Sequence, residues 1–260
     1  MITAVINTLN EEHRISPCLE SIEGLAEEII VVDMHSDDKT RRIAEQFGAR
    51  IILHERVKDC PDMAKRPGIE AAHNDWVLML DADERVPPDL GRELKRIASE
   101  NRYAGVIMAR KNVTFGRWLK HGGWWRVDQV KMFRKDKVIW GWEQFAHRQV
   151  EVEGELCLLP RSEALSLVHE NFEHPWDYAE RALFRYARFE ARLMYEKGVR
   201  FSLPKLLWKP VRKFIGNYVL RGGFLDGIPG FLMNALFAGH EFMLWANLWS
   251  IHRSRSGSKG

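Results

Sequence analysis

The chain has 260 residues, 45% hydrophobic and 29% charged, enough to bury a substantial core and too balanced for a disordered chain. A formal net charge of +3 excludes the whole-protein basic field that recruits nucleic acid, so nucleic acid is not expected as a partner. Cys18, Cys60 and Cys157 form neither a CxxC pair nor an even-numbered framework, and Met1 to Asn7 lacks the basic flank and long apolar stretch of a secretion signal. Both features point to reduced thiols and a cytoplasmic protein.

In chain order, short β-rich runs at Ile2 to Asn7, Glu28 to Val32, Arg50 to Leu53 and Trp76 to Leu80 alternate with amphipathic segments. This is the pattern of βαβ units and a mainly parallel sheet, an α/β fold. Pro17 is expected to kink or restart the first helix. Asp37 is placed to cap a helix that Gly48 ends, and Pro61 to Ala72 and Pro88 to Ala98 read as further helices. Ligands of such sheets bind beyond the carboxyl ends of the strands. The residues there are acidic: Asp33 follows the second strand, and Asp81-Ala82-Asp83-Glu84 follows the fourth.

Asp37 and Asp38 suit a helix N-terminus. For Asp33 two readings stay open, acceptor of a uracil imide hydrogen or of backbone amides in a turn. Asp81 and Asp83, separated by one small residue, fall on a shared side if the chain stays extended. Their oxygens suit Mg²⁺ or Mn²⁺, ions that keep waters and substrate phosphate oxygens as further ligands, as a nucleoside diphosphate would provide. A lone DxD is weak evidence; its place after a buried strand strengthens it.

Several ordered segments resemble the family 2 glycosyltransferases, in the branch that includes lipopolysaccharide core glucosyltransferases. They are Thr8-Leu9-Asn10-Glu11-Glu12, Glu28 to Asp33, Ser36 to Thr40, Gly48-Ala49, Asn74 to Glu84, Gly116-Arg117-Trp118, His121-Gly122-Gly123-Trp124 and Arg221-Gly222-Gly223-Phe224-Leu225-Asp226-Gly227. The resemblance implies a GT-A fold, a UDP-sugar donor, a divalent cation (Mg²⁺ or Mn²⁺) and inversion at the anomeric carbon. It places Thr8, Asn10, Glu11 and Asp33 in the nucleoside pocket and Lys65 near the nucleotide. Asp81 then holds the ribose or a metal-bound water, Asp83 the metal, and His169 completes the metal shell. A base is still needed to take the acceptor's proton. Glu143 is the first choice and Asp128 the second, because the family's His-Glu pair is replaced by His147-Arg148. Met34 and Asp37 also depart from the commoner Ser and Thr. Among the aromatic cluster, Trp124, Trp125 and Trp142 are candidates to stack on an acceptor sugar.

Beyond residue 174 the composition shifts. Residues 181–221 hold eleven Lys or Arg against Glu190 and Glu196, and Ile228 to Ile251 is apolar but interrupted by Pro229, Gly230, Asn234, His240 and Glu241. A clean span is not expected; a helical hairpin lying in the cytoplasmic leaflet of the inner membrane is. The expected division is a catalytic domain over 1–172, a nucleotide-sugar half (1–110) and an acceptor half (111–172), then a helical membrane-associating region over 173–252 and a disordered tail over 253–260. The function expected is transfer of a hexose from a UDP-sugar to a lipid-linked or lipopolysaccharide-core saccharide. The alternatives are a nucleotide-sugar-forming nucleotidyltransferase, whose glycine-rich triphosphate loop Thr8-Leu9-Asn10-Glu11 lacks, and a non-catalytic nucleotide-sugar-binding scaffold.

Overall fold

The structure, a computed structural model, describes residues 1–57, 64–125, 128–141 and 150–256, with side chains to residue 254. The chain divides into two units, residues 1–111 with 126–169 and residues 112–125 with 170–260.

The first unit is built on β1 (Ile2–Thr8), β2 (Glu28–Asp33), β3 (Arg50–Leu53) and β4 (Trp76–Asp81), all parallel, in the order β3-β2-β1-β4. Helices α1 (Ile15–Glu20), α2 (Thr40–Gln46) and α3 (Lys65–Ala71) make the connections. Alternate side chains of the central strands feed two cores. Ile2, Ala4, Ile6, Trp76, Leu78 and Leu80 face one side, and Val5, Val77 and Met79 the other. A sheet covered on both faces explains why these strands read as continuous apolar runs. Gly68 lets α3 approach the sheet, since a Cβ there would sit 2.6 Å from Val5 and 2.7 Å from Val32.

After β4 come β5 (Glu84–Arg85) and α4 (Pro88–Glu100), which buries Leu90, Leu94 and Ile97 at helical spacing. Then β6 (Gly105–Thr114) leads through β7 (Arg117–Trp118) to β8 (Asp128–Arg134), which lies antiparallel between β4 and β6. Strands β9 (Val138–Ile139) and β10 (Glu151–Val152) form a separate ribbon, β11 (Leu156–Leu158) runs parallel to β6, and β12 (Leu167–Phe172) sets His169 opposite Glu84 of β5. Strand order reverses between β1 and β4, so their carboxyl ends open the crevice where α/β sheets bind ligands.

Two local expectations shift. Pro17 sits in the first turn of α1, where its missing N–H leaves no helical bond unmade. The start of α2 is satisfied by Asp38, whose Oδ1 accepts the Thr40 N–H at 2.9 Å, while Asp37 is exposed and pairs with Arg56.

The second unit is helical. It contains α5 (Pro175–Tyr178), a π-helical stretch (Ala179–Tyr186), α6 (Ala187–Glu196), α7 (Leu203–Phe214), a second π-helical stretch (Ile215–Leu220), a 3-10 turn (Gly223–Asp226) and α8 (Gly227–Ser256). Part of the apolar run supplies this unit's interior: Leu244, Trp245 and Leu248 of α8 pack with Ala187 and Ala191, and Met233 with Leu119, Tyr178 and Ala182, while Phe231, Phe242 and Trp249 stay exposed. The helix also continues to Ser256, where an irregular tail from residue 253 was expected. Among the described residues no helix is long and apolar enough to cross a membrane.

Candidate active site

The first and second βα loops are knitted together by polar groups. Asp33, at the end of β2, is fully buried; its carboxylate accepts from Thr8 Oγ1 at 2.8 Å, Ser36 N–H at 2.8 Å and Ser36 Oγ at 2.6 Å, with Arg41 at 3.6 Å. The Ser36 N–H contact is the backbone amide bond of the turn reading, and through it Asp33 clamps the loop that follows β2. Asn10 adopts a left-handed φ of 57°, accepts the Asp37 N–H at 2.8 Å through Oδ1, and donates its own N–H to Ser36 Oγ at 2.9 Å. Glu11 donates its backbone N–H to Thr40 Oγ1 at 2.8 Å, and its carboxylate lies 3.6 Å from Arg14. Thr8, Asn10, Glu11 and Asp33 are therefore brought to one edge, with Thr8 and Asp33 in register across β1 and β2.

Asp81 ends β4 opposite Asn7 of β1. The chain turns at Ala82 and Asp83, so the strand alternation expected to put both carboxylates on a shared side does not extend to Asp83. Asp81 is held by two buried lysines, Lys65 at 2.7 Å and Lys131 at 3.0 Å. Lys131 also reaches Glu84 at 2.6 Å; Glu84, wholly buried, pairs with Arg110 at 3.3 Å and accepts the Asp81 N–H at 2.9 Å. Burial works against the Asp81 charge, yet Lys131 and then Lys65 hold its carboxyl well below the usual carboxylate range.

Asp83 turns instead to His169, whose Nε2 lies 3.5 Å from Asp83 Oδ2. Its Oδ1 is buried with no hydrogen-bond partner among the described residues. Burial opposes ionisation here too, but the neighbouring His169 keeps the Asp83 carboxyl below its ordinary value. A buried carboxylate oxygen left without a donor is costly unless something fills it. A divalent cation fits this donor set: an anionic oxygen and an imidazole on the protein side, with waters and phosphate oxygens completing the shell. Among the described residues no cluster of three or more His, Cys, Asp or Glu could hold a metal, and those residues supply only part of such a shell.

Asp128, on β8, is gripped by Arg161, with Nε at 3.1 Å from Oδ1 and Nη2 against Oδ2. Glu143 and Trp142 fall outside the described residues. In the second unit Trp125 packs edge-to-face on Trp118, and Trp124 on Phe237. The indole N–H of Trp124 is buried with no partner among the described residues. Sequence reasoning missed Lys131, Glu84 and Arg110. The signal for Lys131 was a single cation inside the apolar run Val130-Lys131-Met132-Phe133, on the strand that pairs with β4.

Residues 3–148 match the family model for glycosyl transferase family 2. A Rickettsia bellii protein called an uncharacterized glycosyltransferase is 38% identical over 95% of this chain and 85% of its own length. The lipopolysaccharide core biosynthesis glycosyltransferase LpsC of Rhizobium meliloti is 26% identical over 96% of this chain and 93% of its own length. Among solved structures, S. aureus TarS 1–349 aligns with a TM-score of 0.51 at 15% identity, over 97% of this chain and 91% of that one, a likeness of fold. A mixed α/β sheet of GT-A type with acids at the crevice end of β4, and a family match over more than half of the chain, give one conclusion: the protein belongs to glycosyl transferase family 2 and is a glycosyltransferase.

Proposed function

We propose that the protein transfers a hexose, with inversion, from a UDP-sugar to a lipid-linked saccharide of the lipopolysaccharide-core type at the cytoplasmic leaflet of the inner membrane. The observation that carries this reading is Asp83: a buried carboxylate oxygen without a partner, beside His169, at the crevice end of β4. The donor assignment is supported by TarS, of the same fold, which has been crystallised with UDP (TM-score 0.52, 14% identity). The acceptor assignment is supported by the name of LpsC.

In this reading the loops after β1 and β2 cradle the nucleoside. Asp33 fixes Thr8 and Ser36 so that the loop bearing Asn10 and Glu11 keeps its shape when the nucleotide enters or leaves. Lys65 and Lys131 hold Asp81 ionised and in place, ready to accept from a ribose hydroxyl or a metal-bound water. Asp83 and His169 would hold Mg²⁺ or Mn²⁺. That ion would neutralise the charge gathering on the departing diphosphate, which then needs no general acid. Glu143 is the base for the acceptor hydroxyl. Asp128 is second, with Arg161 engaging both its oxygens. Trp124, Trp125 and Trp142 offer stacking faces to the acceptor.

The test is UDP release from a panel of UDP-hexoses with Mn²⁺, with and without lipopolysaccharide-core acceptors. Acceptor-stimulated release that Asp83→Ala abolishes supports the assignment. Donor binding without turnover on any acceptor favours a scaffold, and pyrophosphate exchange with UTP a nucleotidyltransferase.

A further inference from the structure

The second unit carries an exposed apolar ridge that the transfer chemistry does not use. Leu203, Leu207, Val211, Ile215 and Val219 recur every four residues along α7 and the π-helical stretch after it, and each is between 42% and 59% exposed. Trp208 widens the ridge, and Phe224 and Leu225, both more than half exposed, follow in the turn that leads into α8. Side chains at this spacing share one helix face. The neighbouring face of α7 is cationic: Lys209, Arg212 and Lys213 join Arg221 in lining a cavity of about 500 Å³ whose one carboxylate is Glu241 and whose wall includes Phe237.

The two lysines are already engaged. Lys213 lies 3.1 Å and Lys209 3.5 Å from Glu241, and Lys213 sits over the Phe237 ring at 3.8 Å. Arg221 donates to Asn217 Oδ1 at 3.0 Å through one of its five N–H groups, and Arg212 is exposed and makes no ion pair among the described residues. Four cations around one carboxylate therefore leave positive charge unmatched in a concave site beside exposed apolar side chains. Guanidinium groups, with planar paired donors, match phosphate oxygens in particular. The site also touches the loop that holds Trp124: Gly122 donates its N–H to the Arg221 carbonyl at 3.0 Å, and Trp124 packs on Phe237 at 5.1 Å.

We infer that α7 and the turn before α8 are the membrane-docking surface, with the ridge seated among acyl chains and the Lys209-Arg212-Lys213-Arg221 cavity receiving the phosphate of an anionic phospholipid. The occupant follows from charge complementarity, because a lipid surface alone offers apolar depth and anionic phosphate side by side. The inference rests on the proposed lipid-linked acceptor for the presence of a membrane, and it relocates the contact from the apolar run of α8 to α7.

Flotation of the full chain tests it, using phosphatidylcholine vesicles with and without phosphatidylglycerol. The wild type binds the anionic vesicles and is not displaced by millimolar inorganic phosphate. Arg212→Gln with Arg221→Gln weakens partitioning about 25-fold, at about fivefold per cation. Arg212→Lys with Arg221→Lys retains most of it, and Val211→Asp with Ile215→Asp abolishes it. UDP binding, measured on the same variants by calorimetry, stays at the wild-type level, which keeps the docking surface separate from the donor site. Equal binding of the wild type and the glutamine pair overturns the inference, as does displacement by free phosphate, which would mark a soluble-phosphate site. Vesicle binding that follows this pattern in a protein with no affinity for UDP supports the docking surface while refuting the proposed donor.

Discussion

Lys131 is the residue through which the candidate site and the fold depend on each other. Its ammonium, 4% exposed, joins Asp81 and the wholly buried Glu84. Lys131→Met keeps the length of the side chain and removes the charge. Glu84 is then left with Arg110 at 3.3 Å and the Asp81 N–H, and Asp81 with Lys65. Breaking a buried pair by removing one partner costs about 3–5 kcal/mol. Asp81 is 30% exposed, so its share is screened, and Arg110 partly compensates Glu84; the lower end, about 3 kcal/mol, is expected. At roughly 2–4 °C per kcal/mol for a chain of this size, Tm falls by about 6–12 °C at neutral pH. Adding Glu84→Gln, which keeps an acceptor for the Asp81 N–H and removes the stranded charge, restores part of the loss. Thermal unfolding followed by circular dichroism decides it. A fall in Tm under about 2 °C, or a double variant worse than the sum of its parts, would refute the view of this network as a mutually dependent set of buried charges.

Three further outcomes follow from the same geometry. Asp81 and Asp83 have carboxyl pKa values depressed in the folded state, so their contribution to stability is complete above the ordinary value of about 3.9 and is lost as pH falls through the folded values. Urea midpoints should therefore drop steeply below about pH 4, and Asp81→Asn should flatten that acid limb. The Cys18 thiol is fully buried, bonds to the Asp81 carbonyl at 3.6 Å, and is pushed well above its ordinary pKa by burial and then by Glu84, Asp83 and Asp81. Mass spectrometry of the native protein should find Cys18 unalkylated at pH 8, with labelling only on unfolding. Asp226 accepts from the Lys120 and His121 N–H groups at 3.2 and 2.9 Å and from the His121 ring at 2.8 Å, so Asp226→Ala should cost about 2 kcal/mol. It should also speed hydrogen exchange over residues 120–124, whereas exchange unchanged from the wild type would remove its role as the anchor of that loop.

The parallel strands were legible because the central ones, β1 and β4, are buried on both faces and the edge strand β3 keeps a short run of Ile and Leu, so composition alone marks Ile2, Glu28, Arg50 and Trp76 as strand starts. The acids at the strand ends were legible as positions but not as partnerships. Alternation along an extended chain mispredicts Asp83, because the backbone turns at Ala82 and sends its side chain to His169, far away in sequence. Lys131 escaped for a related reason: its partners lie across an antiparallel pairing that a local pattern does not encode. The run in α8 is read only in part. Hydropathy reports that residues are apolar, not what covers them; Leu244, Trp245 and Leu248 are buried by the unit's own helices, Phe231, Phe242 and Trp249 stay exposed, and the shorter, charge-studded α7 shows its apolar face outward.

The end of β4 is expected to hold a nucleoside diphosphate, and calorimetric titration of UDP into the protein, with and without Mn²⁺, measures that directly. Mn²⁺-dependent binding is expected in the wild type, and Asp83→Asn should lose the Mn²⁺ dependence while Asp128→Asn keeps it. UDP affinity that is indifferent both to Mn²⁺ and to Asp83→Asn would contradict the central claim.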